Sequence, residues 1–93
     1  MKNRIDFSPF VKTDLKEIKD WYQKINKTLV DRFFKEFENE TQLLSQNPLS
    51  KEVKYKDCRI SYLKNFPFGI HYKYFDSDNS ILIIWYLSRI KKS

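Results

Sequence analysis

The chain is short of three residue types that usually carry chemistry or flexibility: it has one glycine (Gly69), one cysteine (Cys58) and one histidine (His71) in 93 residues. A lone cysteine forms no internal disulfide, so nothing calls for an oxidising compartment and a cytoplasmic location is expected. One cysteine and one histidine fall short of a structural zinc site, and neither a metal nor another cofactor is predicted. No cysteine–histidine nucleophile signature is present either, so Cys58 reads as a small apolar packing residue. Long hydrophobic runs are also missing. The stretch Ile81 to Leu87 is far too short to span a bilayer, and Met1-Lys2-Asn3-Arg4-Ile5-Asp6 lacks the apolar core of a signal peptide. No internal repeat, low-complexity segment or interdomain linker breaks the chain, and its length suits one domain spanning 1–93.

What the chain has in quantity is aromatic residues and positive charge. Aromatics make up 17% of the sequence, which offsets the small size because each buries a large apolar area, and which argues against disorder. Lysine and arginine exceed aspartate and glutamate by 18 to 12, giving a net charge of +6. Such a surface attracts phosphates, acidic proteins and anionic lipids alike, and also serves solubility alone.

The patterning predicts an α+β fold. Asn3 to Phe7 reads as a short strand, and Ser8-Pro9 as a helix start, with serine capping and proline at the first helical position. Val11, Leu15, Ile18, Tyr22 and Ile25 then recur at spacings of three and four, with Trp21 beside them. Asn26-Lys27-Thr28 interrupts this helix. A second apolar face, Val30, Phe33, Phe34, Phe37 and Leu44, runs to Asn47-Pro48, so two helices form an antiparallel hairpin able to cover one side of a sheet. Beyond Pro48 the period falls to two. Val53 and Tyr55 alternate with Lys54 and Lys56, Ile60 and Tyr62 with Arg59 and Ser61, and Ile70, Tyr72 and Tyr74 with His71 and Lys73. Asp76-Ser77-Asp78-Asn79 has strong turn chemistry, and Ile81 to Leu87 reads as a strand buried on both faces. Three or four antiparallel strands therefore follow the hairpin.

Between two of these strands stands Phe66-Pro67-Phe68-Gly69, a corner in which proline fixes one dihedral and the glycine is expected to take positive φ or to allow a close backbone approach. This corner, followed by Ile70, is the most specific element of a wider likeness. Together with Phe7-Ser8-Pro9, Asp14-Leu15-Lys16-Glu17-Ile18, Trp21-Tyr22, Phe37 and Asn47-Pro48, it resembles the RelE/ParE toxins, the small basic toxins of bacterial type II toxin–antitoxin operons. The resemblance implies a strand, a helical hairpin and an antiparallel sheet in this order. It also implies a plasmid-stabilising toxin in a hetero-oligomer with a cognate antitoxin, whose amphipathic helix or strand lies across a hydrophobic groove.

Two target classes come with that family: DNA gyrase, inhibited without catalytic residues, and the ribosome with its mRNA, where the toxin is an endoribonuclease. Many relatives carry a C-terminal histidine, a small residue and an arginine, where this chain has Leu87-Ser88-Arg89, which tilts the expectation toward ParE-like gyrase inhibition. RNA cleavage through the 2′-hydroxyl needs proton transfer at two oxygens and stabilisation of a pentavalent phosphate. Lys54, Lys56, Arg59, Tyr86 and Arg89 are the candidates for it, expected to converge on the sheet's open face if the chain is a ribonuclease. Arg59, Arg89, Lys91 and Lys92 are the expected target-binding residues. His71 reads as an ordinary strand histidine. A further alternative is a non-toxic module that binds nucleic acid or protein through the tyrosines and cations interleaved along the strands.

Overall fold

The computed structural model describes residues 3–85. Strand β1 (Arg4–Phe7) leads into helix α1 (Pro9–Ile25), followed by α2 (Lys27–Gln46) and then β2 (Val53–Tyr55), β3 (Cys58–Tyr62), β4 (Gly69–Phe75) and β5 (Ser80–Trp85). The five strands form one sheet in the order β1-β5-β4-β3-β2, antiparallel throughout except for the parallel pair β1–β5.

Each junction has a chemical cause. The Ser8 hydroxyl oxygen accepts the Val11 N–H at 3.4 Å, and the same hydroxyl donates to the Ile84 carbonyl at 2.8 Å, so the cap of α1 is also its anchor to β5. Asn26 serves both helices. Its N–H closes α1 on the Tyr22 carbonyl at 2.8 Å, and its side chain accepts the Thr28 N–H at 2.9 Å to open α2, so the hairpin needs a single linking residue. Asn47 closes α2, and Asn3 reaches back to the Ser45 carbonyl with both its backbone and side-chain N–H groups.

The core lies between the helical hairpin and one sheet face. Val11, Ile18 and Tyr22 from α1 and Phe33, Phe37 and Leu44 from α2 meet Ile70, Tyr72, Ile81 and Ile83 from the sheet. Phe33 is its hub, with ring centroids 5.2 Å from Phe66, 5.8 Å from Phe68 and 5.9 Å from Tyr22. The corner residues Phe66 and Phe68 are thus buried as expected, and Leu63 N–H closes the loop onto the Phe68 carbonyl at 3.0 Å.

Four details differ from the sequence reading. Gly69 has no positive φ. It sits opposite Tyr62, where a Cβ would come within 3.0 Å of Ile60 Cγ2 and 3.1 Å of the Tyr62 ring, so the close approach is to side chains and not to backbone. Lys56 is not in a strand. With Asp57 it forms the β2–β3 turn, both residues in the left-handed region at φ 41 and 64. Trp21 and Ile25 end on the outside of α1, 52% and 59% exposed, and β5 buries Ile81 and Ile83 fully but Leu82 and Ile84 only in part. Tyr86 and Leu87, expected in that strand, lie outside the described residues.

Candidate functional site

Alternation along β3 and β4 sorts the candidate residues by face. Arg59 pairs in register with Tyr72 and Ser61 with Ile70, and Tyr72 and Ile70 are core residues, so Arg59 and Ser61 lie on the helix side. Ile60 pairs with His71 and Tyr62 with Gly69, so these four lie on the open face.

On the helix side, the Arg59 guanidinium donates to the Lys51 carbonyl and the Ser61 hydroxyl to the Glu40 carboxylate. The Tyr72 hydroxyl donates to the Pro48 carbonyl at 3.0 Å. Burial pushes the Tyr72 phenol above its usual range, against the opposing pull of the nearby Arg59 charge. These contacts fasten α2 and the segment before β2 to the sheet.

On the open face a register shift between Val53 and Tyr55 brings Tyr55 opposite Cys58. From there its hydroxyl lies 2.7 Å from His71 Nδ1. His71 is 8% exposed, and its Nε2 is buried with no hydrogen-bond partner. Burial lowers the imidazole's pKa below its ordinary 6.5, so it stays neutral at physiological pH. The Tyr55 phenol is raised, first by burial and then by the neighbouring Cys58 thiol, which is itself buried. A neutral imidazole bonded to a neutral phenol can relay a proton but offers no charge to a phosphate. Around it the face carries Ile60, Tyr62 and Leu82, with Lys73, in register with Leu82, as the cation of β4.

The expected convergence of cations on this face does not occur among the described residues. Lys54, on the edge strand β2, pairs with Glu52 at 3.0 Å, and that contact raises its pKa. Lys56 is diverted by the left-handed turn, and Arg59 faces the helices. Tyr86, Arg89, Lys91 and Lys92 lie outside the described residues. Two contributors were missed in the sequence: Tyr55, whose partnership with His71 depends on a bulge, and Glu36. The Glu36 carboxylate accepts from the Lys64 and Asn65 N–H groups at 2.7 and 3.1 Å and from the Asn65 amide at 3.0 Å, pinning the loop after β3. Among the described residues no three His, Cys, Asp or Glu side chains are grouped to hold a metal, and no helix is long and apolar enough to cross a membrane.

Comparison with known proteins adds a family. The family described as the ParE toxin of the type II toxin–antitoxin system, parDE, matches residues 5–89. Among solved structures, the fold resembles the chromosomal ParDE toxin–antitoxin system from P. aeruginosa, with TM-score 0.81 at 17% identity over 97% of this chain and 98% of that one. It also resembles the intact E. coli RelBE toxin–antitoxin complex, with TM-score 0.66 at 13% identity over 97% of this chain and 99% of that one. The isolated E. coli RelE toxin gives TM-score 0.62 at 15% identity over 98% of this chain and 87% of that one. A search of curated protein sequences returns no significant match.

Proposed function

The chain belongs to the ParE toxin family of type II toxin–antitoxin systems, and from that premise we propose that its 93 residues act as one toxin domain that inhibits DNA gyrase by binding it, without cutting RNA. The observation that carries this reading is the composition of the open sheet face. Where an RNA-cleaving site needs clustered cations beside an acid–base pair, among the described residues this face has Ile60, Tyr62, Gly69 and Leu82 with the cation Lys73, while Arg59 is directed to the helix side and Lys54 is paired with Glu52. Inhibition by binding needs no such cluster. The residues proposed to meet the target are Arg89, Lys91 and Lys92, because guanidinium and ammonium groups can dock on either carboxylates or phosphates; Arg59, expected to join them, is held on the helix side by the Lys51 carbonyl.

The partner that holds the toxin inactive is, in this reading, an acidic antitoxin segment. It is supported by the apolar residues exposed on the hairpin, Phe10 at 62%, Trp21 at 52%, Ile25 at 59% and Leu43 at 55%, and by the net charge of +6. A second reading, RelE-like cleavage of mRNA on the ribosome, draws on the Tyr55–His71 bond as its acid–base pair. Inducing the gene in bacteria while following DNA replication and protein synthesis separately distinguishes the two. Replication should stop first, with translation continuing. Prompt translational arrest with fragmented mRNA would overturn the gyrase reading.

A further inference from the structure

Helix α1 carries two surface rows of opposite character. Lys12, Lys16 and Lys19, at spacings of four and three, form one row. Phe10, Asp14, Glu17, Trp21 and Ile25, at spacings of four, three, four and four, form the other, which runs beside the core row of Val11, Leu15, Ile18 and Tyr22. At 1.5 Å per residue this second row is roughly 22 Å long. It has exposed apolar side chains at its ends, Phe10 at one and Trp21 and Ile25 at the other, with two carboxylates between them.

Those carboxylates have no cation of their own. The residues three and four positions from Asp14 are Phe10, Val11, Glu17 and Ile18, and those around Glu17 are Thr13, Asp14, Asp20 and Trp21, so neither has a basic neighbour along the helix. The ion pairs among the described residues are Arg4–Asp6 and Lys54–Glu52. Asp14 is partly buried, and its Oδ2 lies out of water with no hydrogen-bond partner. Taking a carboxylate oxygen from water without a donor is costly, and nothing in the helix offsets it. Asp20, the third acid of α1, is placed differently, with Lys16 and Lys24 four residues to either side.

An apolar row at heptad-like spacing accepts an amphipathic helix. Carboxylates in its middle reject an apolar or acidic residue and accept a lysine or arginine. We propose that the antitoxin covers α1 with an amphipathic helix whose apolar residues meet Phe10, Trp21 and Ile25 and whose lysine or arginine, placed between them, meets Asp14 and Glu17. This rests on the reading that an antitoxin binds the exposed hairpin, and it adds the register: in a segment acidic elsewhere, one basic position fixes which residues lie on α1, because a slip of one turn sets apolar side chains against carboxylates. A second copy of this chain fits poorly, since its own row brings the same carboxylates to the middle.

The probe is the full-length protein encoded beside this chain's gene, titrated calorimetrically against the purified chain, with circular dichroism melts to confirm that each variant is folded. Asp14→Asn should weaken binding roughly tenfold and Asp14→Lys roughly a hundredfold, and Trp21→Ala should weaken it at least about tenfold. Asp20→Asn should keep the parent affinity. Changing each lysine and arginine of the antitoxin to glutamate in turn should yield one variant that binds the Asp14→Lys chain at least about tenfold better than the unchanged antitoxin does. If Asp14→Lys melts well below the parent, Glu17→Lys, at an exposed position, carries the same charge swap. No binding between the unaltered proteins at low salt would overturn the antitoxin reading and the helix with it. Binding that is unchanged by both Asp14 variants, an equal loss from Asp20→Asn, or the absence of a restoring antitoxin variant would overturn the helix register alone. A dimer of this chain by itself in sedimentation, broken up by Trp21→Ala, would put a second copy on the row and likewise overturn the proposal.

Discussion

Replacing His71 by phenylalanine should leave the protein equally or more stable, and should leave its toxicity intact. The imidazole is buried, and of its two ring nitrogens one meets Tyr55 at 2.7 Å while the other is buried without a partner. A buried polar atom with no hydrogen bond costs about 1–3 kcal/mol, and the bond to half-exposed Tyr55 returns about 0.5–1.5 kcal/mol. Phenylalanine removes both. Water can then satisfy the Tyr55 hydroxyl, because that residue is 40% exposed, so the net change is a gain of roughly 0–2 kcal/mol. At about 4–8 °C per kcal/mol for a chain of this size, the midpoint of thermal unfolding followed by circular dichroism should rise by up to roughly 16 °C. The pH dependence has a sign as well. His71's folded pKa is lowered by burial, so between that value and 6.5 the unfolded chain binds the extra proton and the folded one does not. The parent's stability contribution is complete above about pH 6.5 and is lost as pH falls through that window, and the variant should lose less. A melting temperature clearly below the parent's at pH 7, or loss of growth inhibition at matched expression, would refute the reasoning.

Phe33→Ala should destabilise by about 3–5 kcal/mol, since it empties the fully buried hub that meets Tyr22, Phe66 and Phe68; chemical denaturation measures this, and a loss near zero would contradict the core assignment. Gly69→Ala should change stability by less than about 1 kcal/mol, because φ is not positive and the reduced freedom of the unfolded chain offsets a small displacement of the exposed Tyr62 ring; a larger loss in the same assay would show that Ile60 and Tyr62 cannot give way. Glu36→Ala should cost about 1–3 kcal/mol and speed amide exchange at Lys64 and Asn65, the two N–H groups it holds. Unchanged exchange rates at both would remove Glu36 from the account of that loop.

The helical half of the fold was legible because its signals are local. Ser8, Pro9, Asn26 and Asn47 each stop or start a helix through contacts within a few residues, and all four act as their types suggest. The sheet was legible in content but not in register. Lys56 and Asp57 form a left-handed turn without the glycine or asparagine that usually announces one, and the shift between Val53 and Tyr55 moves Tyr55 opposite Cys58. Since one residue of slip exchanges the two faces of a strand, Arg59 could not be assigned to the helix side, nor Tyr55 to His71, before the pairing was known. The parallel pairing of β1 with β5 joins the two ends of the described chain and leaves no local trace. Gly69 announced its importance through isolation in an aromatic corner, but the reason is the ring of Tyr62 across the strand and not its own dihedral.

The central claim, inhibition by binding and not by cleavage, is tested most directly with the purified chain in two parallel reactions: DNA supercoiling by gyrase and translation of a defined mRNA by ribosomes. Supercoiling should fall in proportion to added protein while the mRNA stays full length. Cleaved mRNA with supercoiling unaffected would contradict that claim.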